Sequence, residues 1–428
     1  MPSDGLFDSL FVPGPLRAAI GDEAWLQAML DAERALAAAG ARAGIVPPEA
    51  AAAIAEACRA ERFSPERIGE EGRLVANPAE PLVRALRGEV GEQHGRHVHR
   101  GATSQDIVDT AATLVSRAAL DLILADVNAL SAGCARLARE HRRTLLPART
   151  LLQQALPTTL ALKAAGWLVG VLEARRLLVH VRRERLAPQL GGAAGTLASL
   201  GEHGGAVAAA FAQELGLPEP VLPWHANRVR VAELAAALDI AAGAAAKIAL
   251  DVVLLAQTEV GEASERAGEG RGASSTMPHK RNPAGATVAL ACARHAHASA
   301  SLLVGGLAQE HERAVGAWQA EWVALTRTLG AAGGGIASTR EVVEGLELRP
   351  GRMRSNIADV VLAERAASEV GADAVKEGLA AGRTLRETLS AAGVHGAKLD
   401  ELLDPAGYLG SADRFVDRAL DLYREELE

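Results

Sequence analysis

The chain has little cysteine: Cys58, Cys134 and Cys292 are the only three in 428 residues, and no CxxC pair occurs. Such spacing supports neither a disulfide framework nor a thiolate metal site, and buried reduced thiols are expected. Aromatic residues make up only 3% of the chain, and β-branched or aromatic runs with a period of two are few, which argues against a large sheet. There is no excess of basic charge, with 45 Lys+Arg against 53 Asp+Glu. A mildly acidic chain lacks the basic surface that phosphate neutralisation needs, so nucleic acid is not an expected partner, whereas a small anion needs only a few local cations. No charge-free apolar stretch approaches ~20 residues, so no membrane span is expected. The opening MPSDGLFDSLF lacks a basic segment followed by an apolar one, so no signal peptide is expected and the location is expected to be cytoplasmic. No GxxxxGK[ST] pattern is present, and Gly191, Gly192 and Gly195 read as tight turns and close approaches, not as a phosphate loop.

What is present is alanine, leucine, glycine and valine, the composition of long, closely packed helices. Residues 1 to about 103 read as several short helices. Leu26, Met29, Leu30, Leu36 and Ala37 fall at helical spacing, with Glu33 interrupting the stripe. From Ser104 to about His141 there is no proline, and Ile107, Ala111, Leu114, Ala118 and Leu122 recur at three and four, with Ser104 and Asp106 as candidate caps. At ~1.5 Å per residue this helix would be roughly 55 Å long. Further long helices are expected at about 157–186, 229–260, from near Pro283, and at about 314–345, with Pro350 as a boundary. The spacing predicts an all-α chain of three parts: an N-terminal helical domain 1–103, a central bundle of long helices 104–350, and a small helical domain 351–428.

Three segments carry chemistry. Gly272-Ala-Ser-Ser-Thr-Met-Pro-His-Lys-Arg-Asn-Pro283 packs hydroxyls, cations and an amide into a loop before a helix start. Lys280 and that helix N-terminus would supply positive potential, Asn282 could hydrogen-bond a carboxylate, and Ser274 could transfer a proton if its alkoxide were stabilised. His99-Arg-Gly-Ala-Thr-Ser-Gln-Asp106 places Thr103 and Ser104 at the start of the first long helix, where simple capping is the competing reading. Arg149-Thr-Leu-Leu-Gln-Gln-Ala-Leu-Pro-Thr-Thr159 places Gln153, Thr158 and Thr159 at a second expected helix start. If consecutive long helices run antiparallel, those two starts lie roughly 50 Å apart, so a shared site would need different chains of a symmetric oligomer.

The loop 272–283 resembles the signature loop of the aspartase/fumarase superfamily, and the other two segments resemble its other shared regions. Within that superfamily the chain is similar to the bacterial carboxymuconate cycloisomerase family. The carriers are Leu6-Phe-Asp-Ser-Leu-Phe11, Val98-His-Arg-Gly-Ala-Thr-Ser-Gln-Asp106, Trp224-His-Ala-Asn-Arg228, Gln309-Glu-His-Glu-Arg313, Glu321-Trp322 and Leu403-Asp-Pro-Ala-Gly-Tyr-Leu-Gly410. The resemblance implies a three-domain helical fold, a homotetramer with composite sites, no metal and no organic cofactor, and a small anionic unsaturated tricarboxylate as substrate. It implies Ser274 as proton-transfer residue and Lys280, with Asn282, as holding a substrate carboxylate. Asn282, Thr103, Ser104, Gln153 and Thr158 would line the substrate, with His99 and Arg228 beside them. Many superfamily members have a histidine where this chain has Leu151, and adenylosuccinate lyases have one near Asn77-Pro78 that is absent here. Those departures weaken an amine-eliminating lyase and fit a carboxylate leaving group, which departs without protonation. An amine-eliminating lyase and an inactive structural homologue stay as the alternatives.

Overall fold

The computed structural model describes residues 5–266, 272, 277 and 280–427. The fold is all-α, built on helices α1 (Asp22–Arg42), α2 (Ser104–Glu140), α3 (Leu160–His180), α4 (Val229–Leu255), α5 (Ala284–Gly305) and α6 (Ala317–Glu344), with shorter helices between and after them. Two small antiparallel pairs accompany them: β1 (Leu145–Thr150) with β2 (Gln153–Thr159), and β3 (Ala263–Glu265) with β4 (Leu346–Leu348).

Helix α2 has the extent that its proline-free run implies, and it buries Ile107, Val108, Ala111, Val115, Ala119, Leu120 and Ile123, then Val127, Leu130 and Cys134. Helix α3 differs from its expected span. It begins at Leu160 and ends at His180, after which Val181–Arg185 forms a π-helical turn. The segment before it is a hairpin, not a helix start. Its two strands meet at Leu151 and Leu152, both at positive φ, 50° and 66°, as a two-residue hairpin turn requires. Asn-Gly is the residue pair that signals such a turn, and Leu-Leu conceals it.

The chain divides into two compact units. The first comprises Met1–Asp126, Ala174–Gly243 and Val288–Ala337, and the second Val127–Glu173, Ala244–Thr287 and Ser338–Glu428. In the first unit helix α6 approaches the N-terminal segment so closely that a Cβ on Gly334 would lie 2.0 Å from the Phe11 carbonyl oxygen. Only glycine fits there. In the second unit Val361, Leu362, Ala366, Val375, Leu385, Leu389, Leu399 and Leu402 form an apolar cluster of their own. No helix of the described residues is long and apolar enough to cross a membrane.

Candidate active site

In the first unit the start of α2 is a polar hub. Thr103 precedes the helix, and its amide donates to Asp106 Oδ2 at 3.0 Å, so Asp106 reaches back over the first turn as a capping carboxylate does. Asp106 is buried and accepts three further bonds. The amides of Gly191 and Gly192 donate to its two oxygens, both at 2.9 Å, and His225 Nε2 lies 2.6 Å from Oδ1. Gly192 sits at φ 68°, and a Cβ there would lie 2.9 Å from the Gly101 carbonyl oxygen, so the glycine turn is pressed against the segment that leads into α2.

One turn further on, Asp109 anchors a second cluster. Arg228 donates to both Asp109 oxygens, at 2.8 and 3.0 Å, and its Nε donates to Glu321 Oε1 at 3.0 Å. Its NH2 also donates to Glu321 Oε2, and the guanidinium stacks over Trp224 at 4.9 Å. Trp318 Nε1 donates to Asp109 and Gln309 Nε2 to Glu321. Burial would depress the Arg228 pKa, but the carboxylates of Asp109 and Glu321 outweigh it and hold the group above the ordinary arginine range. Burial raises the Glu321 carboxyl, with Arg228 working against that. Gln105, fully buried, ties the two clusters together: its amide donates to Asp109 and to the His225 carbonyl, and its oxygen accepts from Arg313 Nε at 3.2 Å. Above this network the Thr103 and Ser104 side chains are half-buried, and their hydroxyls take no partner among the described residues.

In the second unit the hairpin is fixed near its turn by Arg149, which donates to Glu262 through two bonds of 3.0 and 2.6 Å. Gln154 is bonded to the Asn356 carbonyl and the Ala358 amide. Successive strand residues face opposite sides, so Gln153 projects away from that anchor, exposed, beside the turn. Thr158 is half-buried, and Thr159 caps α3 by accepting from the Leu162 amide at 3.2 Å. The loop before α5 is closed at its base, where the Asn282 amide donates to the Gly272 carbonyl at 3.0 Å.

The sequence profile of the lyase family matches residues 14–296, more than half of the chain. The chain belongs to the lyase family. It is 44% identical to a 3-carboxy-cis,cis-muconate cycloisomerase of Bradyrhizobium diazoefficiens over 95% of both chains. It is 43% identical to a nitrosuccinate lyase of Streptomyces davaonensis over 97% of this chain and 94% of the relative. The crystal structure of the 3-carboxy-cis,cis-muconate lactonizing enzyme from Pseudomonas putida superposes with a TM-score of 0.92 at 40% identity, covering 98% of this chain and 99% of that one. The all-α fold is thus the aspartase/fumarase fold.

Within this lyase the residues singled out from sequence divide between the units. His99, Thr103, Ser104 and Arg228 belong to the first, and Gln153, Thr158, Lys280 and Asn282 to the second. Ser274 lies outside the described residues. Lys280 is exposed, and its amide donates to the Met277 carbonyl. One expectation is corrected. The free amides at the start of α5 are not open to a ligand, because Glu265 accepts from Gly285 and Ala286 at 3.0 and 2.8 Å. Asp106, Asp109 and Arg313 were not among the expected site residues. The two aspartates, one turn apart and set among the apolar positions Ile107, Val108 and Ala111, were the available signal. Among the described residues no group of three histidine, cysteine, aspartate or glutamate side chains is arranged to hold a metal ion.

Proposed function

We propose that this lyase is a cycloisomerase that converts 3-carboxy-cis,cis-muconate to 4-carboxymuconolactone, a step in protocatechuate breakdown. The observation that carries the reading is full-length similarity to cycloisomerases at up to 44% identity. The hairpin tip supports it: the exposed turn residues are Leu151 and Leu152, with no titratable group between them. A carboxylate leaves, or adds in reverse, without an acid, since its pKa is about 4.

In the proposed step a substrate carboxylate oxygen forms a bond to the carboxyl-bearing carbon. The π electrons pass to the neighbouring carbon and into its carboxylate as an aci form. Ser274 delivers a proton to carbon, Lys280 stabilises the alkoxide left behind, and solvent restores the serine proton. Asn282, Thr103, Ser104, Gln153, Thr158 and His99 hold the remaining charge. Arg228 acts from beneath, through Asp109, by fixing the first turns of α2. We assign these residues to composite sites of a cytoplasmic homotetramer, with the chain organised as 1–103, 104–350 and 351–428.

A second reading, elimination from a nitro-substituted succinate, has the 43% identical nitrosuccinate lyase in its favour. Proton stoichiometry separates the two. Lactonisation of the trianion consumes one proton, whereas elimination of nitrite releases one. With purified protein, loss of the diene absorbance of 3-carboxymuconate together with alkalinisation of a weakly buffered indicator is expected. Ser274→Ala is expected to lose roughly 10²- to 10⁴-fold in turnover. Near-normal turnover by that variant removes Ser274 from the mechanism, and proton release from nitrosuccinate alone replaces the first reading with the second.

A further inference from the structure

Helix α1 buries Leu26, Met29, Leu30, Leu36 and Ala37 in the first unit, and Glu33 lies buried among them. A carboxylate in such a place is costly unless it is paired. Glu33 Oε1 is 2.5 Å from His99 Nδ1, and Oε2 has no hydrogen-bond partner among the described residues. His99 reaches it from a left-handed backbone position, φ 64°, which few non-glycine residues occupy without cause. With Nδ1 turned onto Glu33, the opposite edge of the ring carries Nε2, which has no partner among the described residues in a side chain that is 15% exposed. Four residues on begin the free hydroxyls of Thr103 and Ser104.

We infer that Glu33 is a positioning residue: it fixes the His99 ring and keeps it cationic, so that Nε2–H is presented to a ligand carboxylate beside Thr103 and Ser104. This rests on the reading that the site takes a carboxylate substrate. The groups facing His99 are Glu33 from α1, Asp106 from α2 and Arg87 from the helix Ala79–Val90. Burial is the largest influence and disfavours the imidazolium, as does Arg87. The charge and hydrogen bond of Glu33, with Asp106, outweigh them, and the His99 pKa is raised. A purely structural ion pair would also favour the charged ring but would leave substrate binding indifferent to it, and this difference makes the inference testable.

The test uses the full-length protein in its native assembly. Deuterium exchange at the imidazole C2 position, read by mass spectrometry on the His99 peptide, gives the titration midpoint without turnover. Wild type is expected to titrate above the ordinary histidine value, Glu33→Gln at least about one pH unit lower, and Glu33→Asp, which keeps the charge, near wild type. Equal midpoints in wild type and Glu33→Gln overturn the inference. If Glu33→Gln does not assemble, a wild-type midpoint at or below the ordinary value overturns it. In turnover of 3-carboxymuconate, Glu33→Gln is expected to raise KM about ten- to a hundredfold with a smaller effect on kcat. It should also move the alkaline limb of kcat/KM to lower pH and add little to the loss caused by His99→Gln. An unmoved limb or additive losses refute the ligand-facing role. Failure of the functional reading gives a different result: wild type then leaves carboxymuconate unchanged. The same comparison is then read from binding of citrate near neutral pH, which Glu33→Gln must weaken for the inference to stand.

Discussion

His225 Nε2 lies 2.6 Å from Asp106 Oδ1, and the same carboxylate takes the amides of Thr103, Gly191 and Gly192. One side chain therefore fixes the first turn of α2, the glycine turn and the 224–228 segment. Asp106→Ala leaves these donors without an acceptor in a buried place, at roughly 1–3 kcal/mol for each unsatisfied group. We expect a loss of several kcal/mol in urea unfolding, on the order of 3–5. Asp106→Asn should recover little of it, because its NH2 group faces donors. A loss below about 1 kcal/mol for the alanine variant would show that the hub is not what holds these segments.

Arg228→Met is expected to be about as damaging, roughly 3–5 kcal/mol, since it strands Asp109 and Glu321 in the interior. The pH dependence has a definite sign. Glu321 already has a raised carboxyl pKa in the folded protein, through burial set against Arg228. Such a group contributes stability that is present below its unfolded pKa and lost as pH rises through the folded one. Without Arg228 the rise is larger, so the variant should recover stability between pH 8 and pH 5 while wild type changes less. Parallel stability curves for the two proteins would contradict this.

Glu265→Gln tests the cap of α5. The carboxylate faces the positive end of a 22-residue helix through two amides. Loss of its charge should cost about 1–2 kcal/mol and lower the melting temperature, with the effect shrinking as salt screens the helix dipole. A variant as stable as wild type at low salt would indicate that the cap is redundant.

The three thiols should be inert in the native protein. Burial pushes Cys58 and Cys134 up to about 12 and Cys292 up to about 11. Native protein at pH 8 should resist a thiol reagent that labels three groups after unfolding. Each raised pKa contributes stability that is intact below the unfolded thiol value of about 9 and lost as pH climbs towards the folded value. Fast labelling of any one thiol at pH 8 would reveal local opening around that residue.

The amino-acid pattern alone dictates the helical architecture, because the repeat of apolar residues at three and four and the absence of proline over 104–140 leave α2 no other regular structure. It also determined the family, through motifs that extend across the chain. The hairpin at 145–159 was not legible, because its turn uses Leu151 and Leu152 where local chemistry favours asparagine and glycine. The fate of the polar residues set into apolar faces depends on long-range packing. Glu33 reads in sequence as a break in a stripe, and Asp109 as one more helix acid. In the fold the first meets His99 across 66 residues of chain and the second meets Arg228 across 119. Periodicity records which side of a helix turns inward, whereas the partner of a buried charge is set by whatever other segment packs there.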